Sequence, residues 1–164
     1  MFELKSLSPA AIPAALAKAE RYRLLNEPVQ SQSICEDVLR ADPGNNDALV
    51  MLILALSDDF THHPRNAVRA AEVASQLATE YERRYYAGLI AERRARVLLE
   101  HPGPGARAGA EWLRDAMDHY ERAEAVRPPD NDDARLRWNA CARVFNARPD
   151  LLVREAADEP VMNE

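Results

Sequence analysis

Proline and glycine divide this sequence into short stretches, and most stretches between two breaks have the residue pattern of a helix. The clearest breaks lie at residues 26–28, 42–45, 61–64, 101–105 and 127–130. Between them, apolar residues recur at three- and four-residue spacing. Hydrophobic residues make up 47% of the chain and aromatic residues only 6%, because much of the apolar content is alanine. Val, Ile and Thr show no sustained alternation, so the sequence predicts an all-α chain.

Seven helices are predicted between these breaks. The third is apolar on almost every side, which is typical of a helix buried between neighbours. The segment His101–Gly105 alternates proline and glycine and is predicted to be a mobile loop rather than helix. The predicted helices cover residues 12–26, 28–41, 46–59, 64–81, 82–100, 108–126 and 131–146.

Negative charge is concentrated at the C-terminal end. The chain has a net charge of −6, and residues 150–164 hold five acids and one base, a charge of −4. These residues have no periodic apolar face, which predicts a disordered acidic tail after a helical domain of residues 1–149. Charge in that domain is nearly balanced and forms no basic stripe, so we expect no nucleic-acid binding.

The sequence also bears on location and on the cysteines. No stretch approaches the roughly 20 apolar residues of a membrane span, so no membrane association is expected. Pro13 and Lys18 interrupt the apolar N-terminal segment, which therefore does not resemble a signal peptide and predicts a cytoplasmic protein. Cys35 and Cys141 lie far apart and outside any C-x-x-C pair, which favours buried, reduced thiols.

The helices repeat weakly along the chain. First helices align at a spacing of 34 residues and second helices at a spacing of 36 residues. A third copy follows 49 residues after the second, with the extra length placed in the loop at residues 101–105 and in longer helices. The aligned pairs include Ala14 with Ala48, Ala19 with Ile53, Tyr22 with Leu56, Pro28 with Pro64, Cys35 with Ala71, Val38 with Ala74, and Ala74 with Ala123.

This pattern resembles the tetratricopeptide repeat family. Ala19 and Tyr22, followed by the segment Val38–Asn45, carry the likeness best, and Ala116–Asn131 is a second good match. Gly88 fits the small residue that the family uses where paired helices touch. The resemblance covers residues 12–147 and implies three antiparallel helix-pair repeats and a capping helix, stacked as a short right-handed solenoid. A generic helical bundle is the alternative fold.

The resemblance implies a function as an adaptor or scaffold. In that family the first helix of each repeat lines a concave face that binds a partner peptide or helix. We call the corresponding positions here the predicted strip, which joins apolar residues, a tyrosine and mixed charges. The alternative is a self-associating module that buries the same strip in a homodimer. The predicted strip consists of Leu16, Glu20, Arg23, Val50, Leu54, Asp58, Tyr85, Leu89, Glu92, Arg93, Leu136, Ala140 and Arg143.

Catalytic and metal-binding signals are weak. Adjacent histidines such as His62 and His63 do not converge on one metal without further ligands. Asp115 and His119 stand one helical turn apart and could form a metal or catalytic dyad, although a hydrogen-bonded surface pair is the simpler interpretation. There is no glycine-rich phosphate loop and no nucleophile motif. The sequence therefore predicts no enzyme, no cofactor and no metal.

Arginines are concentrated on the fifth predicted helix. They form either a solvated face or a set of donors for a carboxylate on a partner. The acidic tail is a further hypothetical partner for them. These arginines are Arg83, Arg84, Arg93, Arg94 and Arg96.

Overall fold

The computed structural model describes residues 2–100 and 104–152, and all regular structure within them is helical. The all-α prediction is confirmed. Short 3-10 turns at Pro9–Ala11 and Pro149–Leu152 flank the longer helices. In chain order, the α-helices of the described residues are α1 (Ile12–Leu24), α2 (Pro28–Ala41), α3 (Asn46–Asp58), α4 (Asn66–Ala74), α5 (Glu80–Leu99), α6 (Pro104–Glu124) and α7 (Asp133–Ala147).

Each helix packs against the next one along the chain, and α1 also contacts α3 while α3 contacts α5. The contacts between α5 and α6 show that these two helices run antiparallel. Gly109 of α6 meets Leu99, near the end of α5, whereas Tyr120 of α6 meets Gly88, in the middle of α5. This packing of consecutive helices is consistent with a helical repeat.

Side-chain caps explain two of the helix starts. The Asn45 side chain accepts a hydrogen bond from the amide of Ala48 at the first turn of α3. Thr79 and Glu82 form a capping box that begins α5. Asn46 joins the two starts, because its Nδ2 donates to Glu82 Oε1 at 2.7 Å and its Oδ1 accepts from the amide of Ala78 at 3.0 Å.

Helix α4 is shorter than the sequence predicts. The prediction covers residues 64–81, but the helix spans only Asn66–Ala74 and α5 starts at Glu80. The capping box at Thr79 starts a new helix, and the amide of Ala78 bonds to the Asn46 side chain instead of continuing α4. A local side-chain signal thus overrides the helix-forming residues around it.

Two other boundaries also differ from the prediction. Helix α6 begins at Pro104, so the loop prediction is wrong for Pro104 and Gly105, while residues 101–103 lie outside the described residues. Proline fits the first turn of a helix because the amides there have no intrahelical acceptor, so its missing N–H costs no hydrogen bond. Ordered packing continues past residue 149, since Leu151 is buried and its carbonyl accepts from Arg114 Nη2 at 2.7 Å. Residues 153–164 of the predicted tail lie outside the described residues.

Two groups of buried side chains form the core, and α5 contributes to both. The first group joins α1 to α4 and takes Ile90 from α5, and the second joins α5, α6 and α7 and takes Ala91 and Ala95 from α5. Cys35 is buried in the first group and Cys141 in the second, and neither forms a disulfide, as predicted. Helix α5 therefore connects the two core groups.

Candidate functional site

The predicted strip is not a continuous exposed surface. Leu89 and Glu92 are each only 1% exposed, and Glu92 is in contact with residues of both α6 and α7. Tyr85 is half-buried against Tyr81, Tyr86 and Tyr120. The sequence placed these residues on a partner-binding face, and for Leu89 and Glu92 that placement is wrong since a partner cannot reach them.

The other members of the strip differ widely in exposure. Val50 packs against the first core group, whereas Leu136 of α7 is 64% exposed. The half-buried members are Leu16, Arg23, Val50, Leu54, Arg93 and Ala140, and the exposed ones are Glu20, Asp58, Leu136 and Arg143.

Ion pairs cross the strip and join its first three helices. Arg23 Nε of α1 donates to Asp58 Oδ2 of α3 at 2.7 Å, and Arg93 of α5 pairs with the other oxygen of Asp58. Arg93 also donates to Ser57 Oγ at 2.7 Å and to the Leu54 carbonyl at 3.3 Å. The structure thus brings together three residues that the sequence placed on one face. Their ion pairs interrupt the apolar part of the predicted strip with charged groups that bind one another.

A buried carboxylate connects the last three helices. Tyr120 Oη of α6 donates to Glu92 Oε2 at 2.7 Å, and Arg96 of α5 pairs with Glu92 Oε1. Arg137 Nη1 of α7 lies 3.4 Å from the same oxygen. Burial, and then the charge of Glu92, raise the pKa of Tyr120 far above its ordinary value. Since Glu92 and Tyr120 are almost inaccessible, this cluster suits holding helices together and not catalysis.

An open groove lies elsewhere, over α5 and between α4 and α6, with a volume of about 720 Å³. We call it the α4–α6 groove. Three stripes at helical spacing line it. One of them, on α6, consists of Trp112, Asp115 and His119. From α4 and the residue that follows it, the lining includes Ala67, Val68, Ala71, Glu72, Ala74 and Ser75, and from α5 it includes Arg83, Ala87, Ile90, Ala91 and Arg94.

Alanine explains why the groove is open. Five of its lining residues are alanines, and a methyl group is too short to fill the space between α4 and α6. The larger apolar groups lie at its wall and floor, where Val68 is 63% exposed and Ile90 belongs to the core. The sequence did not predict this groove. Ala67, Ala71 and Ala74 recur at three- and four-residue spacing, which is compatible with an open helical face but equally with close helix packing.

The arginines of α5 are engaged within the chain. Arg84 pairs with Glu80, and Arg83 Nη1 donates to the carbonyls of Leu77 and Ala78 at 2.6 and 3.1 Å. The guanidinium of Arg94 lies over the Trp112 ring, 3.8 Å from its centroid. Arg93 and Arg96 are also paired, so all five arginines have partners within the chain, although Arg96 stays exposed. A contact with the acidic tail stays a prediction, because residues 153–164 lie outside the described residues.

His63 and His119 each lie near one carboxylate of the chain. His63 Nδ1 lies 2.8 Å from Asp59 Oδ2. The same oxygen accepts a hydrogen bond from Asn66 Nδ2 at 3.3 Å. These contacts stabilise the turn between α3 and α4. His119 Nε2 is 3.8 Å from Asp115 Oδ2, too far for the predicted hydrogen bond. In the described part of the chain, no three His, Cys, Asp or Glu side chains form a group that could hold a metal ion.

Within residues 2–100 and 104–152, no helix has both the length and the apolar character needed to cross a membrane. Comparisons with protein-family models, with curated proteins and with solved structures find no match to this chain.

Proposed function

We propose that this chain is a helical-repeat interaction module that binds a helical segment of a partner protein in the α4–α6 groove. The proposal depends mainly on a groove of 720 Å³ that three helices form, five of whose fourteen lining residues are alanines. Small residues let a partner backbone approach closely, and an amphipathic helix binds such a surface through its apolar face. The tetratricopeptide-like repeat is part of the same proposal, supported by the packing of consecutive helices.

The groove offers both a floor and an anchor for such a helix. Its floor is formed by Ala87, Ile90 and Ala91 of α5, which present an apolar row about one helical turn long. Trp112 stands at one end, half-buried and stacked on Arg94. Aromatic residues in this kind of setting often contribute most to binding energy. A partner side chain seated between Val68 and Trp112 would bury both.

The α4–α6 groove supports binding better than the predicted strip does. The strip is crossed by the Arg23–Asp58–Arg93 ion pairs, and a partner lying along it would desolvate them. In the groove, a partner would mainly displace water from methyl groups. The same ion pairs argue against the homodimer, which was expected to bury the strip.

A selection from displayed helical peptides tests the proposal. A library of 18-residue peptides, each with an apolar stripe at helical spacing, is selected on the folded protein and the binders are measured by fluorescence anisotropy. Three single tryptophan variants then locate the site: Ala71→Trp in the groove, Glu20→Trp on the strip, and Ala17→Trp as a control. Ala17 is exposed on α1, a helix that does not line the groove.

We expect Ala71→Trp to weaken the selected binders at least about tenfold, because the indole occupies the space of the partner helix. The other two variants should leave affinity unchanged. Loss with Glu20→Trp alone would move the site to the predicted strip and refute the groove. Equal binding to all three variants would refute it as well.

Light scattering at several concentrations tests the homodimer separately. We expect the mass of a monomer, 18.4 kDa, at each concentration. A dimer that Glu20→Trp dissociates would instead favour self-association through the strip.

A further inference from the structure

The walls of the α4–α6 groove carry opposing acidic side chains. Glu72 stands on α4 and Asp115 on α6, with the apolar row of α5 between them. Both residues are exposed. A helix lying along the groove would have one carboxylate on each flank of its buried stripe.

These carboxylates are the groove charges that the chain itself leaves least satisfied. Within the described residues, the Glu72 carboxylate has no hydrogen-bond or ion-pair partner, and Asp115 has only His119 at 3.8 Å. The two arginines of the floor are both engaged: Arg83 donates to the carbonyls of Leu77 and Ala78, and the Arg94 guanidinium lies over the Trp112 ring. The groove therefore presents exposed carboxylates on both walls, whereas its two guanidinium groups already have partners within the chain.

We infer that the occupant of the groove is a basic amphipathic helix of another protein, with an apolar stripe flanked on both sides by lysine or arginine. This inference rests on the proposed function and specifies in addition that the partner helix is positively charged. Lysine or arginine beside the stripe would pair with Glu72 on one wall and Asp115 on the other. The net charge of −6 on the whole chain favours approach of the same kind of partner. An acidic helix would place like charges against both walls.

The test uses a second displayed library. The apolar stripe is taken from a groove binder, and the two flanking positions on each side are varied among Lys, Gln and Glu. Selection is carried out on the wild-type protein and on the double variant Glu72→Lys/Asp115→Lys. Both substituted positions are exposed, and circular dichroism checks that the variant keeps its helix content.

On the wild-type protein we expect Lys to be enriched over Glu at the flanks, and a Lys-flanked peptide to bind about tenfold more tightly than its Glu-flanked counterpart. The double variant should reverse this preference, and added salt should reduce it in both cases. Ala71→Trp should remove binding of both peptides.

Each contrary result has a distinct meaning. Equal enrichment of Lys, Gln and Glu, with binding still abolished by Ala71→Trp, would overturn the basic partner and leave the groove function standing. Enrichment of Glu would overturn it in the same way. Peptides that bind equally well to Ala71→Trp would show that the groove is not the site, and both proposals would fail.

Discussion

The helix pairs α3–α4 and α5–α6 follow one another in the chain, yet they pack in different ways. Helices α5 and α6 span 20 and 21 residues and approach closely at Gly88 and Gly109. Their interface holds a fully buried tyrosine bonded to a buried glutamate. Helix α4 has only 9 residues and turns several alanines toward the groove.

This difference shows how one chain can hold both a fixed wall and an open surface. Large side chains and glycines at the α5–α6 interface leave little freedom to shift. The alanine side chains of α4 are short, so the space between α4 and α6 stays open for a partner. The groove therefore lies where the closely packed pair meets the alanine-rich helix.

Removal of the buried carboxylate should be the most damaging change to the α5–α6 pair. We expect Glu92→Ala to lower the free energy of unfolding by about 3–5 kcal/mol, because it breaks a buried charged network and leaves the Tyr120 hydroxyl without its acceptor. Urea unfolding followed by circular dichroism measures this. Glu20→Ala, at an exposed position of α1, is the matched control and should change stability by less than about 0.5 kcal/mol. A loss below about 1 kcal/mol for Glu92→Ala would contradict the role of the cluster.

A methyl group at the close approach of α5 and α6 should be the next most damaging. A Cβ at Gly88 would lie 2.8 Å from a ring carbon of Tyr120, which is fully buried and cannot move aside. Although alanine favours helix more than glycine does, we expect Gly88→Ala to cost about 1–2 kcal/mol. Gly44→Ala is the control, since nothing lies within 4 Å of its added Cβ. If the two variants were equally stable in thermal unfolding, the α5–α6 interface would be looser than described.

The buried thiols should make stability fall at alkaline pH. Burial raises the pKa of Cys35 from 9.0 to about 11, and burial together with the charge of Glu92 raises that of Cys141 to about 12. The unfolded chain ionises its thiols first, so this contribution is complete below pH 9 and is lost as pH rises through the folded pKa values.

Urea unfolding in reducing buffer at pH 8, 9 and 10 measures this effect. Each thiol should account for about 1.4 kcal/mol of lost stability between pH 8 and 10. Cys35→Ala and Cys141→Ala should each reduce the slope of stability against pH. An unchanged slope in either variant would mean that its thiol is not held neutral by the fold.

The ion pairs across the predicted strip should matter least. Asp58 is partly exposed and its pairs with Arg23 and Arg93 are reached by water, so we expect Asp58→Ala to cost less than about 1 kcal/mol. Thermal unfolding at low and high salt should show this loss shrinking as salt rises. A cost above about 2 kcal/mol would show that the ion pairs of the strip stabilise the fold as much as the α5–α6 interface does. The proposed difference between these two regions would then be wrong.

The sequence indicated the helices well where local signals agreed. Helix α2 ends as predicted because Asp42, Pro43 and Gly44 all oppose helix, and α3 starts as predicted because Asn45 caps it. The prediction was wrong where signals competed. Helix-forming residues around Ala78 suggested a longer α4, but the capping box at Thr79 started α5 instead.

The candidate site was harder to foresee than the helices. The resemblance placed Arg23, Asp58 and Arg93 on one face, and the structure brings these side chains together. It also placed Glu92 there, but that carboxylate is buried by contacts with α6 and α7. Whether a residue on α5 faces a partner or the core depends on how its neighbours cross it, and spacing along one helix does not contain that information.

The sequence by itself determined the all-α class and most helix boundaries, because proline, glycine and capping residues act on chain segments only a few residues away. The tertiary structure decided which helical faces are closed and which are open. The deciding contacts join distant residues, such as Arg23 with Asp58 and Glu92 with Tyr120, and no local preference specifies them. The α4–α6 groove depends in the same way on three separate helices, each of which is locally an ordinary alanine-containing helix.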